Sequence, residues 1–191
     1  VPYTTLFRSW FLVTNLRFWQ KLRRTRAPYA AENCRYPVYL VEAGLPSPCL
    51  FGLFRPAIYL TPAVVTSPER LRHVLAHETA HARHLDPLWS LLRSVCLAVY
   101  WFDPLVWIAA AVSKADGELA CDEAAIQALG EGERIPYGKT LLSLIPVRTG
   151  PGSPLLSATT MTADKRQLKD RITRIAQGQQ TRAAALFLVL A

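Results

Sequence analysis

The pattern of apolar and polar positions divides the chain into two apolar ends, a short strand region and a longer helical region. Strand candidates at residues 37–42, 49–54 and 57–60 are separated by turns that contain proline or glycine. Helical segments follow at 67–83, 87–101 and 103–129, then around 139–145 and at 163–177. Residues 147–162 are rich in Pro, Gly, Ser and Thr and are predicted to form a flexible loop. The pattern predicts an α+β fold, mostly helical, with a small N-terminal β-sheet.

Two helix starts are clearly marked in the sequence. Ser67 suits the N-cap position, Pro68 the first helical position and Glu69 the positive end of the helix dipole. Asp103 and Pro104 repeat the cap-then-proline signal. The helices before and after Asp103 are apolar nearly all round, yet each run is too short to cross a bilayer. They are expected to form a hairpin that is either buried in the domain or dips into a membrane interface.

Both ends of the chain carry apolar stretches next to basic residues. Residues 10–26 are expected to be the inner end of a transmembrane helix with a basic juxtamembrane segment, and 181–191 the start of another. Ordinary amphipathic or frayed termini are the alternative. Residues 27–180 would then form the domain between these truncated transmembrane helices. Residues 2–9 (PYTTLFRS) match the translation of a common sequencing adapter, so we expect 1–9 to lie outside the fold.

The net charge of +8 is concentrated beside the apolar ends, a distribution typical of a cytoplasmic loop between two membrane spans. Membrane lipid is therefore an expected partner. No aromatic-interleaved basic groove and no DNA-binding motif is present in the sequence, so direct nucleic-acid binding is not expected. The four cysteines form no C-x-x-C pair. Cys96 and Cys121 are expected to be buried thiols, pairing of Cys34 with Cys49 stays open, and a cytoplasmic location would keep all four reduced.

The helix at 67–83 contains a metal-binding pattern, His77-Glu78-Thr79-Ala80-His81. Residues four apart share one face of a helix, so His77 and His81 can bind one zinc ion together. Glu78 points away from the line that joins the two rings and can act as general base on a water molecule beside the metal. The alternative is a helix that carries two exposed or core histidines.

A third ligand must come from elsewhere, because a straight helix cannot wrap round one ion. His73 and His84 share the histidine face and are expected to lie outside the metal's ligands, next to them or facing solvent. Glu118 on the third helix is the better candidate, and Asp122, one turn later, can hydrogen-bond a ligand histidine. A solvated helix face is the alternative explanation of these two carboxylates. Acidic residues that could replace Glu118 as ligand are Asp116 and Glu123.

Several motifs, in this order, resemble the membrane-embedded metallopeptidases of the BlaR/MecR-type antibiotic-sensing transducers. They are PSPCLFGLFRPAIYLTP, SPERLRHVLAHETAHARHLDPLW, YWFDPLVW and GELACDEAAI, within a likeness that covers about residues 36–175. The resemblance implies a gluzincin-like domain in which His77, His81 and Glu118 bind one zinc ion. It further implies that Glu78 is the general base and that Asp122 supports a ligand histidine.

The resemblance also implies a location and a role. It suggests a protease domain on the cytoplasmic face of a bacterial cell membrane, with a transcriptional repressor or the transducer itself as substrate. An extracellular sensor domain is expected in the full-length protein. Two other functions remain open at this point. One is a catalytically silent signalling module with a structural zinc site, and the other is a membrane metallopeptidase of the heat-shock or prenyl-protein type.

Overall fold

The computed structural model describes residues 13, 16–31, 34–42, 45–144 and 165–178. The predicted adapter segment, the loop at 147–162 and the C-terminal apolar run lie outside the described residues. Residues 16–25 form helix α1. The strands β1 to β4 and helices α2 to α7 follow, with bounds β1 Arg26–Pro28, β2 Val38–Val41, β3 Cys49–Phe51, β4 Ala57–Leu60, α2 Pro62–Val65, α3 Pro68–Arg83, α4 Asp86–Val99, α5 Pro104–Leu129, α6 Arg134–Ser143 and α7 Lys165–Gln177. The mostly helical α+β architecture is confirmed.

The four strands form one mixed sheet in the order β1-β2-β4-β3. β2 and β4 are parallel, whereas β1 and β3 pair antiparallel with β2 and β4 respectively. Side chains alternate across the sheet, so Val41 and Tyr59 face helix α1, while Val38 and Ile58 face the side that holds α3. The sheet is therefore covered on both faces, and β3 is one of its two edges.

Helix α1 packs onto the sheet through two apolar side chains. Phe18 and Leu22 are buried with Val41, Cys49 and Tyr59 in one cluster. Part of the segment predicted as the inner end of a membrane helix therefore packs against the domain. None of the helices within the described residues is both long enough and apolar enough to cross a membrane.

Helix α3 is the central element, with the sheet on one side and helices α5 and α6 on the other. The predicted start of α3 is confirmed: Ser67 Oγ accepts a hydrogen bond from the Arg70 N–H, with Pro68 in the first turn. The predicted cap of α5 is also confirmed, since Asp103 Oδ1 accepts from the Leu105 N–H at 2.9 Å. Helices α5, α6 and α7 bury a second core of Ala125, Ile126, Tyr137, Leu141 and Ile175.

Helices α4 and α5 form the predicted hairpin, but it is not buried in the domain. Most of its apolar side chains outside the α3 contact are solvent-exposed, with Phe102 at 68% and Leu105 at 70%. The expectation of a hairpin inside the core is wrong, because the chain has no further layer among the described residues that covers this part of α4 and α5. The remaining expectation, a hairpin that meets a membrane interface, is taken up below.

Candidate metal centre

Helix α3 places His77, Glu78 and His81 in the interior, each no more than 3% exposed. The two histidines lie one turn apart, with ring planes at 87° to each other and Nε2 atoms separated by 3.0 Å. Both Nε2 atoms therefore face the same small volume, as the four-residue spacing predicts.

Glu118 reaches this volume from helix α5. Its Oε2 lies 3.9 Å from His77 Nε2, and its side chain is buried. One ligand atom from each of His77, His81 and Glu118 can be chosen so that all three lie within 4.8 Å of one another. The packing of α5 against α3 thus brings together the three residues that were proposed as ligands from sequence.

The second ring nitrogen of His77 is held by a hydrogen-bonded chain. Tyr137 donates its hydroxyl hydrogen to Asp122 Oδ1 at 2.7 Å, and its oxygen lies 2.8 Å from His77 Nδ1. Because the hydroxyl hydrogen is used by Asp122, the oxygen accepts a hydrogen from His77 Nδ1. Asp122 Oδ1 is itself 3.3 Å from Nδ1. The arrangement places the hydrogen on Nδ1 and leaves the lone pair on Nε2. Tyr137 was not among the site residues predicted from sequence.

The second ring nitrogen of His81 is held by Asp86, which the sequence did not identify. His81 Nδ1 lies 2.5 Å from Asp86 Oδ2, and a carboxylate can only accept, so Nδ1 carries the hydrogen. Leu85, with φ of 57°, turns the chain between α3 and α4 so that Asp86 folds back onto the site. Burial works against a charged imidazole, but the hydrogen bonds with Asp86 and Cys121 raise the pKa of His81 well above its usual value.

Cys121 lies behind the same histidine. Its thiol donates to Asp86 Oδ2 at 3.2 Å and lies 3.3 Å from His81 Nδ1. Burial raises the pKa of Cys121 to about 11, so the thiol stays protonated at neutral pH. All four cysteines are free. The predicted burial of Cys121 is confirmed, but the predicted burial of Cys96 is wrong, because that side chain is only half-buried. A disulfide between Cys34 and Cys49, which the sequence left undecided, is not formed.

Arg171 on helix α7 supplies the positive charge beside the two carboxylates of α5. Its Nε and Nη2 donate to the two oxygens of Asp122 at 2.7 Å each, and its Nη1 lies 3.0 Å from Glu118 Oε2. Burial alone would raise the pKa of Asp122, but Arg171 and His77 hold that pKa well below its usual range. Arg171 is itself 2% exposed, so this ion pair is shielded from water.

We expect Arg171→Gln to lower the free energy of unfolding by about 3–5 kcal/mol at pH 7, because it leaves Asp122 charged, buried and without its cation. Urea unfolding followed by circular dichroism measures the change. The difference from wild type should shrink as the pH falls, because protonation removes the unpaired charge. Arg174→Gln, an exposed change on the same helix, is the control and should cost less than about 0.5 kcal/mol. Equal stability of the two variants would contradict the proposed contribution of this ion pair to the free energy of unfolding.

Glu78 lies beside the paired histidines and is 1% exposed. The backbone N–H of Leu50 on strand β3 bonds its carboxylate, while its Oε2 has no hydrogen-bond partner. Burial raises the pKa of Glu78 above its usual value, against the opposing effect of the two imidazoles. A carboxylate with a raised pKa and one uncommitted oxygen is suited to accept a proton from water.

The other candidates from sequence lie elsewhere. Asp116 is exposed, and Glu123 forms an ion pair with Arg134 at 3.2 Å. His84 is exposed, which is the solvent-facing one of its two predicted positions, and its Nδ1 lies 3.4 Å from Cys121 Sγ. The solvent-facing alternative for His73 is wrong: it is 1% exposed, and its Nδ1 lies 2.8 Å from Thr140 Oγ1, because α6 packs over this turn of α3.

The family profile described as "BlaR1 peptidase M56" matches residues 5–175. "Regulatory protein BlaR1" of Bacillus licheniformis is 28% identical over 165 residues, which are 86% of this chain and 25% of that protein. "Methicillin resistance mecR1 protein" of Staphylococcus aureus (strain Mu50 / ATCC 700699) is 28% identical over 103 residues, 53% of this chain and 18% of that protein. The chain thus spans a quarter or less of the length of these relatives.

Proposed function

Because the chain belongs to the BlaR1 peptidase M56 family, we propose that it is the zinc-dependent metalloendopeptidase domain of a membrane-bound signal transducer. One observation carries the proposal. The Nε2 atoms of His77 and His81 face each other at 3.0 Å, while both Nδ1 atoms are committed to hydrogen-bond acceptors. The two Nε2 atoms therefore face one buried position in which a shared cation could bind both rings.

The donor set suits zinc. Two nitrogens bound to a tetrahedral zinc ion at the usual bond length are about 3.3 Å apart, close to the separation of the two Nε2 atoms. His77, His81 and Glu118 form the two-histidine, one-glutamate set of catalytic zinc sites, which leaves one position for water. Asp122 and Asp86 would fix the orientation of the two ligand rings. The buried Oε2 atom of Glu78, which lacks a hydrogen bond, fits a site that is completed by a cation and water.

In the proposed reaction, Glu78 accepts a proton from a water molecule as the water attacks the carbonyl carbon of the substrate. A bound zinc ion would supply Lewis-acid polarisation and lower the pKa of water toward about 7. Glu78 then gives the proton to the leaving amine, so that the peptide bond breaks and an acid and an amine are released. The Leu50 N–H orients the Glu78 carboxylate and leaves its second oxygen available for this transfer.

The substrate is proposed to be an extended peptide segment. Strand β3 is an edge of the sheet, and it borders the site through the contact between Leu50 and Glu78. An extended chain that lies along such an edge would be held through its backbone, with little dependence on side chains. Its scissile carbonyl would then lie within reach of Glu78.

The biological role is proposed from the two relatives, whose names mark a regulatory protein and a methicillin-resistance protein. The substrate would be a transcriptional repressor or the transducer itself. The domain would face the cytoplasm of a bacterial cell membrane between flanking transmembrane helices, with an extracellular sensor domain elsewhere in the full-length protein. The family membership favours this role over a peptidase of the heat-shock or prenyl-protein type.

The test is metal removal and replacement. Treatment with a zinc chelator is expected to abolish peptide cleavage, and one equivalent of zinc per chain should restore it, because three buried residues converge on one position. Cleavage is measured by mass spectrometry on a peptide library, and zinc by elemental analysis. Restoration by magnesium, or cleavage that survives complete zinc removal, would refute the proposal.

A further inference from the structure

The outer part of the α4–α5 hairpin is an apolar projection, which we call the hairpin tip and define as residues 94–113. Within it, the only charged side chain is that of Asp103. Its exposed apolar side chains lie on one face of α4, at the turn and round most of the first part of α5. They are Val95, Val99, Tyr100, Trp101, Phe102, Leu105, Trp107, Ile108 and Val112.

From this distribution we propose that the hairpin tip inserts into one leaflet of a lipid bilayer. A protein partner covers one stripe of a helix, whereas lipid surrounds a helix on every exposed side. On the α5 side of the tip the apolar side chains are exposed on every side except at Val106 and Ala110, and aromatic residues are concentrated at the turn. Tyrosine and tryptophan favour the membrane interface, where one end of the ring meets hydrocarbon and the other meets water.

Several polar groups at the turn are paired inside the tip itself. The indole Nε1–H of Trp107 donates to the carbonyl of Trp101 at 2.9 Å. The N–H of Asp103 donates to the carbonyl of Tyr100 at 3.0 Å, and the Asp103 carboxylate accepts from the Leu105 N–H at the start of α5. These pairings lower the cost of moving the turn out of water, while the Asp103 carboxylate favours a position near the membrane interface.

The depth of the apolar region matches one leaflet. Arg93 Nη1 donates to Ser113 Oγ at 3.3 Å, so this arginine and the neighbouring Lys114 mark one level across the two helices. From Pro104 to Lys114 the helix rises about 15 Å, so the tip is too short to pass beyond one leaflet, and a tilted tip keeps its aromatic turn near the interface. The two basic side chains at that level would meet anionic headgroups while the tip stays on one side of the bilayer.

Photochemical labelling tests this insertion. The whole chain is prepared with p-benzoylphenylalanine in place of Phe102 or, separately, in place of Ile135. Ile135 is a matched control, because it is 55% exposed and adjoins the Arg134–Glu131 ion pair. After irradiation with vesicles of phosphatidylcholine and phosphatidylglycerol, we expect lipid adducts at position 102 to exceed those at 135 by about fivefold or more.

A second substitution distinguishes lipid labelling through the tip from labelling through other parts of the chain that contact the membrane. Leu105→Glu in the protein labelled at 102 should expel the tip and lower its lipid adducts several-fold, with no effect on labelling at 135. Equal adduct levels at the two positions, or no effect of Leu105→Glu, would overturn the proposal. Crosslinked protein dimers in place of lipid adducts at 102 would overturn it in favour of a second copy of this chain. The readout does not depend on peptidase activity, so it stands apart from the proposed function.

Discussion

Glu78→Gln is expected to lower the rate of peptide cleavage by about 10²- to 10⁴-fold while one zinc ion per chain stays bound. Glutamine has nearly the shape of glutamate but cannot accept a proton at neutral pH. The Leu50 N–H can still bond its carbonyl oxygen, so the side chain should keep its position. Cleavage of a peptide library and zinc content, measured on the same sample, give the two required numbers.

The control for this change is Glu69→Gln, an exposed glutamate in the first turn of the same helix. It removes the same charge from α3 without touching the site, and its cleavage rate should equal that of wild type. If Glu78→Gln cleaves peptides as fast as wild type does, Glu78 is not the base. If it loses cleavage yet signals normally in cells, the silent signalling module is the better description of the domain.

Glu118→Ala should weaken zinc binding by more than about 100-fold, since it removes a direct ligand. Asp122→Ala should weaken binding by roughly 10–100-fold, which is typical of a residue that only orients a ligand. The structural reason for this order is that Glu118 approaches His77 Nε2, whereas Asp122 approaches Nδ1 of the same ring. Zinc affinity is measured by competition with a chromophoric chelator, and circular dichroism verifies that each variant folds.

Asp116→Ala is the matched control, since it removes an exposed carboxylate from the same helix and should leave zinc affinity unchanged. Glu123→Ala removes the partner of Arg134 and should also keep the metal. Loss of zinc in either variant, with retention in Glu118→Ala, would show that the ligand assignment is wrong.

The sequence predicts those features that are determined by interactions between residues close together in the chain. The caps at Ser67 and Asp103 fix the starts of α3 and α5 through hydrogen bonds that span two or three residues. The four-residue spacing places His77 and His81 on one face of α3. Strands β2, β3 and β4 were predicted because their apolar runs end at clear turn signals.

What the sequence did not show depends on distant contacts. Strand β1 has only three residues and exists through its pairing with β2. Helix α6 starts at Arg134 and not near Lys139, because Glu131 and Glu123 pair with Arg134 at its first turn. Asp86 reaches His81 only because Leu85 adopts a left-handed turn.

The buried position of Arg171 is indicated by the periodicity of apolar residues in α7. Leu168, Ile172 and Ile175 are apolar positions that pack in the core on the inner side of α7, and Arg171 falls on that stripe at helical spacing. A charged residue on a core stripe needs a buried partner of opposite charge. That partner could have been sought among the acidic residues of α5, although periodicity alone could not choose between Asp122, Glu118 and their neighbours.

The position of α7 sets a lower limit on how far the protein can be trimmed. A fragment that ends after α6 would keep all three proposed ligands and the base. It would nevertheless expose the core around Ile126 and Leu141 and leave Asp122 and Glu118 without their shared cation. The shortest autonomous unit therefore extends past Ile175, and a minimal enzyme cannot be made by excising the two helices that carry the ligands.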